Sequence, residues 1–446
     1  MTGILVIVAD MIGTGIFMTT GNILGMTNNA LIVLILWGIG GLVAITGSLC
    51  YAELAVTWPD VGGEYIYLKK SFGFLPAFLT GWISLVVGFS APVAASSLLL
   101  IQYINRFLHM VFMNNTCPAI LDNIWVQKTF AAVLIIFFGL MHTIGVKRGS
   151  SLQNILTFLK IFLVLLLIVF GIGMADWSMV GRLTAKYAPQ SGSQNYSLPQ
   201  IGLALLMVMF AFSGWNCASY IAGEIKNPEK NLPKALLFGT LITMVIYLLL
   251  NVVFLISSNG TDLMGKDEIG AIAASNLFGP GISGIFTIGI AVILLSAVSV
   301  QIMVGPRVYY AMARDKMIFQ SLAKVHPRFE TPYLAIIIQI ILAVFYVFTG
   351  SAMNLVIYMG FALNVFPVLA VIGLMYMRYK KPDLKRSYHV PLYPVVPLIY
   401  ISLTILMMIA ALLNWTNTSL FAIAVVIIGI PIFYSWQWFI NKKTKK

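Results

Sequence analysis

Along this chain, runs of predominantly apolar residues alternate with short polar or turn-rich segments. Each run reaches the roughly 20 residues that a helix needs to cross the hydrocarbon of a bilayer. Twelve such runs fall at roughly 3–25, 30–57, 74–105, 125–146, 149–175, 198–224, 232–257, 281–313, 332–350, 352–378, 393–414 and 417–441. The longest connections, 106–124, 176–197 and 258–280, hold about 20 residues each and leave no room for a soluble domain. The pattern predicts an all-α membrane protein, one domain of twelve transmembrane helices, with its function among the helices.

Composition sharpens this. Apolar residues make up 60% of the 446 positions and charged residues 9%, against about 45–50% and 25% in soluble domains, which excludes a soluble enzyme. The net charge of +13 raises the question of nucleic acid, but the charge is sorted by side. Of the 27 Lys and Arg residues, 21 lie in the 2–3, 4–5, 6–7, 8–9 and 10–11 connections, the adjoining helix ends and the C-terminus. The opposite loops hold five, and Lys160 falls inside a helix. By the positive-inside rule the richer side, with both termini, is cytoplasmic. The charge is topological, and no nucleic-acid partner is expected. Cys50, Cys117 and Cys217 are too few and too scattered for a disulfide framework; Cys117, in an outer loop, is no signature of a partner subunit by itself. No basic stretch precedes the first run, so a cleaved signal peptide is not expected. The lack of a long regulatory tail points to a bacterial cytoplasmic membrane.

Irregular backbone at membrane depth is tolerated where it lines a cavity or is buried in protein. The first run carries Gly13-Thr14-Gly15 at mid-span, although each glycine costs about 1 kcal/mol relative to alanine in a helix. The sixth carries Ser213-Gly214-Trp215-Asn216 after Phe210-Ala211. Small residues also serve close helix packing. Here, however, the two interruptions lie five spans apart, in corresponding positions of two halves, as in transporters built on an inverted repeat. Repeat one then covers roughly 1–175, repeat two roughly 198–378, and extra helices roughly 393–441. An unwound segment offers backbone amides and the positive end of a half-helix to an anion, and its free carbonyls to a cation. That suits a zwitterion. Gly13 and the amides of Thr14, Gly15 and Ile16, with the Thr14 hydroxyl, form the expected carboxylate site; the carbonyls of Met11, Phe210, Ala211 and Ser213 form the expected ammonium site.

Lys160 lies too deep in the fifth span to reach the interface easily, and burying it costs about 2.5–3.5 kcal/mol on insertion scales. It reads either as a fixed or protonatable cation near the first break or as a structural tie to helix carbonyls. Asp10, one turn before the first break, could orient that break, take up a proton or meet a cationic substrate group. Glu53 and Glu224 read as structural. His109, His142, His326 and His389 are dispersed, without metal-ligand spacing, and are expected to be solvated or interfacial. No metal, no cofactor and no convergent nucleophile and base are called for, which argues against an enzyme. A channel would need pore-lining rings or a repeated filter loop, and none is visible.

With Gly13-Thr14-Gly15-Ile16-Phe17, the sequence carries Tyr51-Ala52-Glu53-Leu54, Pro59 with Gly62-Gly63-Glu64-Tyr65, Gly214-Trp215-Asn216, Lys226-Asn227-Pro228 through Asn231-Leu232-Pro233, and Arg307 through Ala313-Arg314-Asp315. Together these resemble the amino acid, polyamine and organocation transporter superfamily, most closely the L-type amino acid transporter branch and its bacterial relatives, over spans 1 to 11. The resemblance implies the five-plus-five inverted-repeat fold of the sodium-coupled leucine transporter, with spans 1 and 6 holding the substrate backbone and Phe210 as an aromatic gate. It also implies that Lys160 stands where sodium-coupled relatives hold a second sodium, near the Ala9 and Ile12 carbonyls and Ser296 or Ser299. Two departures stand out. Gly223-Glu224 replaces the paired glutamates common at the end of span 6, and Asp10 stands where a neutral residue is more usual.

The expectation is a sodium-independent secondary transporter of neutral L-amino acids, an exchanger or a proton symporter. Trp215, Asn216 and their apolar surroundings offer no counter-charge for a side chain apart from Asp10. The alternatives are a cationic amino acid or polyamine exchanger, or a transport-like amino acid sensor.

Overall fold

The computed structural model describes residues 2–112, 119–175, 181, 183, 198–258, 261–350, 352–414 and 416–444. Cys117 lies outside the described residues; Cys50 and Cys217 are buried free thiols.

The first run is two helices, α1 (Thr2–Met11) and α2 (Thr14–Thr27), followed by α3 (Ala30–Thr57). Asn29 starts α3 by accepting a hydrogen bond from the Ile32 amide at 3.1 Å, satisfying one of the amides that a helix start leaves unpaired. A short helix α4 (Glu64–Phe72) fills the next connection, and α5 (Phe74–Ile83) passes through a π-helical turn (Ser84–Gly88) into α6 (Ser90–Val111). Then come α7 (Ile124–Thr143), α8 (Val146–Met174), α9 (Leu198–Ala211), the four-residue α10 (Cys217–Tyr220) and α11 (Pro228–Ile256). The chain continues through α12 (Ile269–Val304), α13 (Pro306–Arg314), α14 (Tyr333–Thr349), α15 (Ala352–Lys380), α16 (Val395–Asn414) and α17 (Thr416–Thr444).

Nine helices among the described residues are long and apolar enough to cross a membrane, and four shorter apolar helices accompany them. Two boundaries differ from the hydropathy reading. Helix α4 is amphipathic and only nine residues long, so the apolar pattern passes over it. Helix α12 starts at Ile269 and kinks at Gly279, where φ is 71°; the polar, glycine-containing stretch before residue 281 reads as a loop but folds onto the bundle.

Burial orders the helices. In the stretch Gly3–Thr27, 83% of the most apolar window is buried, against 11% in Ile423–Lys442. The first span is the centre of the bundle and the last its rim. Helix α11 packs along α3, α12 along α6 and α8, and α16 along α9, enclosing α1 and α2.

The two ends are held differently. At the end carrying α4, Glu53 pairs with Arg378 and, at 3.3 Å, with Arg386, and accepts from the Val390 amide at 2.8 Å. Lys69 meets Asp315 at 2.6 Å, Arg314 meets Asp60 at 2.7 Å, and Arg307 meets Glu224 at 3.1 Å. At the other end Arg106 meets Glu268 at 2.8 Å, and the Gly265 amide donates to the Gly21 carbonyl at 2.9 Å.

Candidate functional site

Both sequence breaks are breaks in the structure. Helix α1 stops at Met11 and α2 starts at Thr14. A helix cannot satisfy the amides of its own first turn, and those of Thr14, Gly15 and Ile16 donate to no backbone group outside the helix among the described residues. The Thr14 hydroxyl, by contrast, lies 2.6 Å from that of Ser96 on α6, so it is shared with the protein. Gly15 has a packing duty as well: a Cβ there would stand 2.3 Å from the Ala211 Cα. Backbone of α2 touches backbone of α9, and the two breaks face each other.

The carbonyls released by α1 are taken up by side chains from two other helices. Lys160 of α8, fully buried, donates to the Ala9 carbonyl at 2.7 Å and to the Ile12 carbonyl at 2.6 Å. The Tyr247 hydroxyl of α11 lies against the Met11 carbonyl and within 2.9 Å of the Ala211 carbonyl. It spans both breaks. Sequence reading missed Tyr247, because a tyrosine in an apolar run looks like any core aromatic. The Phe210 carbonyl accepts from the Ser213 amide at 2.9 Å. Three of the four carbonyls expected to meet an ammonium therefore have protein partners already, and a carbonyl keeps a second lone pair for a ligand.

Ser296 and Ser299 of α12 are buried but engage other groups. Gln153 reaches the Ser296 hydroxyl at 3.3 Å, and His142 bonds the Ser299 hydroxyl at 2.9 Å. His142 is thus a buried histidine, 5% exposed, and not a solvated one. It caps the end of α7 facing α12, and a lone histidine at the end of an apolar run gives no sign of which face it takes.

The second break is wider. Between α9 and α10 the chain turns through Phe212 to Asn216, with the Trp215 amide donating to Phe212 and the Cys217 amide to Gly214. Gly214 has φ of 100°, and a Cβ there would lie 2.7 Å from an Asp10 carboxylate oxygen; only glycine fits both demands. Trp215 is buried edge-on against Tyr51, ring centroids 4.7 Å apart. Asn216 donates to the Glu64 carboxylate at 2.6 Å. A cavity opens beside this break, bordered by Asp10, Phe210, Ser213, Trp215, Asn216 and Glu64. Among the described residues no group of three His, Cys, Asp or Glu side chains could hold a metal ion.

A cavity beside two facing helix breaks is the arrangement around which many secondary transporters build their binding sites. The amino acid permease family matches residues 2–433. The chain belongs to that family. Serine/threonine exchanger SteT of Bacillus subtilis is 28% identical over 435 residues, covering 97% of this chain and 94% of that protein. The b(0,+)-type amino acid transporter 1 of Mus musculus is 29% identical over 414 residues, covering 93% and 82%. The cystine/glutamate transporter of Homo sapiens is 28% identical over 433 residues, covering 97% and 83%.

In this permease Glu64 joins the site although the sequence marks it only as part of a glycine-rich loop. Gly62 and Gly63 have φ of 121° and 52°, and this turn drops the first residue of α4 into the bundle. An acid following paired glycines, ahead of a short amphipathic segment, is the signal that could have pointed to it.

Proposed function

We propose that this permease is a sodium-independent exchanger of L-amino acids in the cytoplasmic membrane, working by alternating access. The supporting observation is Lys160 Nζ on the Ala9 and Ile12 carbonyls: a tethered cation occupies the carbonyl end of the broken first helix, where a bound sodium ion would otherwise be needed. The substrate carboxylate lies on the amides of Thr14, Gly15 and Ile16, the ammonium meets the carbonyls near Met11, Phe210, Ala211 and Ser213, and Phe210 closes over the substrate. The likeness to SteT, a serine/threonine exchanger matched along 97% of this chain, favours exchange over proton symport. The architecture proposed with it is twelve spans, five plus five in inverted repeats, with two further C-terminal helices and both termini cytoplasmic.

The test is counterflow in proteoliposomes without sodium, with and without unlabelled amino acid inside. Uptake that needs internal amino acid supports exchange. Uptake into empty vesicles that rises at acid pH would replace exchange by proton symport, dependence on sodium would defeat the role given to Lys160, and no flux of any amino acid would leave a sensor.

A further inference from the structure

Where α15 ends and the chain turns toward α16, five basic residues fall within nine positions, Arg378, Lys380, Lys381, Lys385 and Arg386. The structure divides them into two sets. The arginines turn inward: Arg378 pairs with the buried Glu53 and lies over the Tyr393 ring, 4.0 Å from its centroid. Arg386 meets the same carboxylate at 3.3 Å and gathers the Met377, Lys381, Pro382 and Leu384 carbonyls at 2.9–3.2 Å. The Val390 amide also donates to Glu53, at 2.8 Å, so the turn is pinned along its length.

The lysines turn outward. Lys380, Lys381 and Lys385 are exposed, and among the described residues none of them forms an ion pair. Lys380 Nζ meets the Tyr376 hydroxyl at 2.7 Å, a neutral partner. Asp383, the one acid of the turn, is exposed and joins no ion pair among the described residues either. Sidedness alone asks for basic residues at this end of the molecule. It does not ask for a fixed turn that holds both arginines inside and leaves three lysines unpaired.

Apolar groups stand out beside those lysines. The stretch Phe361–Lys380 is long and apolar enough to cross a membrane, and the apolar Val395–Ala410 begins just past the turn, so the turn lies where hydrocarbon gives way to headgroups. Here Tyr379 is 90% exposed and Leu392 78%. Leu392 also has φ of 50°, which a bulky side chain rarely adopts; its carbonyl accepts from the Val395 amide at 2.8 Å, at the start of α16, while its side chain is left outside the protein. In water an exposed leucine is unfavourable. At a bilayer surface a tyrosine ring sits at headgroup level and a leucine reaches toward the acyl chains.

We infer that this turn is a docking site for an anionic phospholipid: Lys380, Lys381 and Lys385 receive the charged headgroup, and Tyr379 and Leu392 lie against the lipid. Clustered lysines next to a membrane span attract anionic lipid in this way. The inference does not depend on what the permease carries, and it takes from the proposed topology only the leaflet, the cytoplasmic one.

The test follows the thermal midpoint of the purified full-length protein in neutral detergent as phosphatidylglycerol or phosphatidylcholine is added. Phosphatidylglycerol is expected to raise the midpoint more than phosphatidylcholine, and the difference to shrink at high salt. The combined variant Lys380→Gln, Lys381→Gln and Lys385→Gln is expected to need about tenfold or more phosphatidylglycerol for half the effect. The comparison variant Lys226→Gln, Lys230→Gln and Lys234→Gln removes the same charge from three exposed lysines at the start of α11 and is expected to respond like the parent. Lys381→Gln and Lys385→Gln singly carry the comparison if the triple variant does not fold. An equal response to both lipids overturns the inference. So does an equal loss in the two triple variants, which makes the turn one part of a uniformly basic face, or a full shift produced by inorganic phosphate alone, which makes it an anion site without a lipid. A loss confined to the first variant supports the lipid site whether or not the protein exchanges amino acids.

Discussion

The two helix breaks solve the same problem in opposite ways. At the first, only Ile12 and Gly13 separate α1 from α2, and its loose carbonyls are clasped by Lys160 and Tyr247 from distant helices. At the second, five residues separate α9 from α10, and the chain satisfies itself mostly through short turns, with Tyr247 on the Ala211 carbonyl where the break begins and Asn216 tied to Glu64 at the cavity edge. The first break is a frame fixed from outside; the second is a local coil that borders the cavity. In the proposed exchange the first break is the wall that keeps its geometry, and the second is the wall that meets the substrate side chain.

The largest expected effect comes from removing the outer clasp. Lys160→Met leaves the Ala9 and Ile12 carbonyls without their donor and Asp10 without its nearby cation, and is expected to cost about 3–5 kcal/mol, together with loss of exchange. The thermal midpoint in detergent and counterflow check it. A variant as stable as the parent would show that the first break holds itself, and the contrast between the breaks would disappear.

Next in size is the contact between the breaks. Gly15→Ala places a methyl 2.3 Å from the Ala211 Cα, and because that neighbour is backbone, α2 and α9 must move apart. Overpacking of this kind costs about 1–3 kcal/mol, and the accompanying shift of the α2 amides is expected to weaken binding of every amino acid alike. Unchanged competition curves would separate the α2 amides from the substrate carboxylate.

How much of this was legible in the sequence follows from what each signal measures. Hydropathy reports apolar length, so it found the long apolar helices but passed over α4, whose nine residues are amphipathic, and trimmed α12 where Gly279 kinks it. Glycine pairs in apolar runs report a backbone demand, and the breaks at Gly13-Thr14-Gly15 and Gly214 were therefore visible. The buried charge of Lys160 was visible because a bilayer makes it costly. What closes on those breaks was not: Tyr247, Ser96 and Glu64 arrive from helices 82 to 236 residues away along the chain, and nothing local distinguishes a tyrosine or serine that faces a break from one that faces a neighbour.

A smaller effect tests the residue that spans both breaks. Tyr247→Phe keeps the ring, which packs edge-on against Trp37 at 5.2 Å and Phe212 at 5.0 Å, and removes only the hydroxyl between the Met11 and Ala211 carbonyls. Leaving those carbonyls short of a donor is expected to cost about 1–3 kcal/mol. If the carbonyls then turn to the substrate ammonium, affinity for amino acids rises while the thermal midpoint of the empty protein falls. A fall in both would mean that the hydroxyl positions the site and does not compete with the ligand.

The smallest effect separates the two donors on the first break. Thr14→Val keeps the shape of the side chain and removes the hydroxyl that lies 2.6 Å from Ser96. The Ser96 hydroxyl, 2% exposed, is left without that partner, at a cost of about 0.5–1.5 kcal/mol. If the α2 amides carry the carboxylate by themselves, apparent affinity for amino acids shifts by less than about threefold, in line with that single bond. A loss of a hundredfold or more in competition assays would instead place the Thr14 hydroxyl on the substrate, pulled away from Ser96 when the site is filled. The first break would then no longer be a fixed frame, since one of its own side chains would move with each substrate.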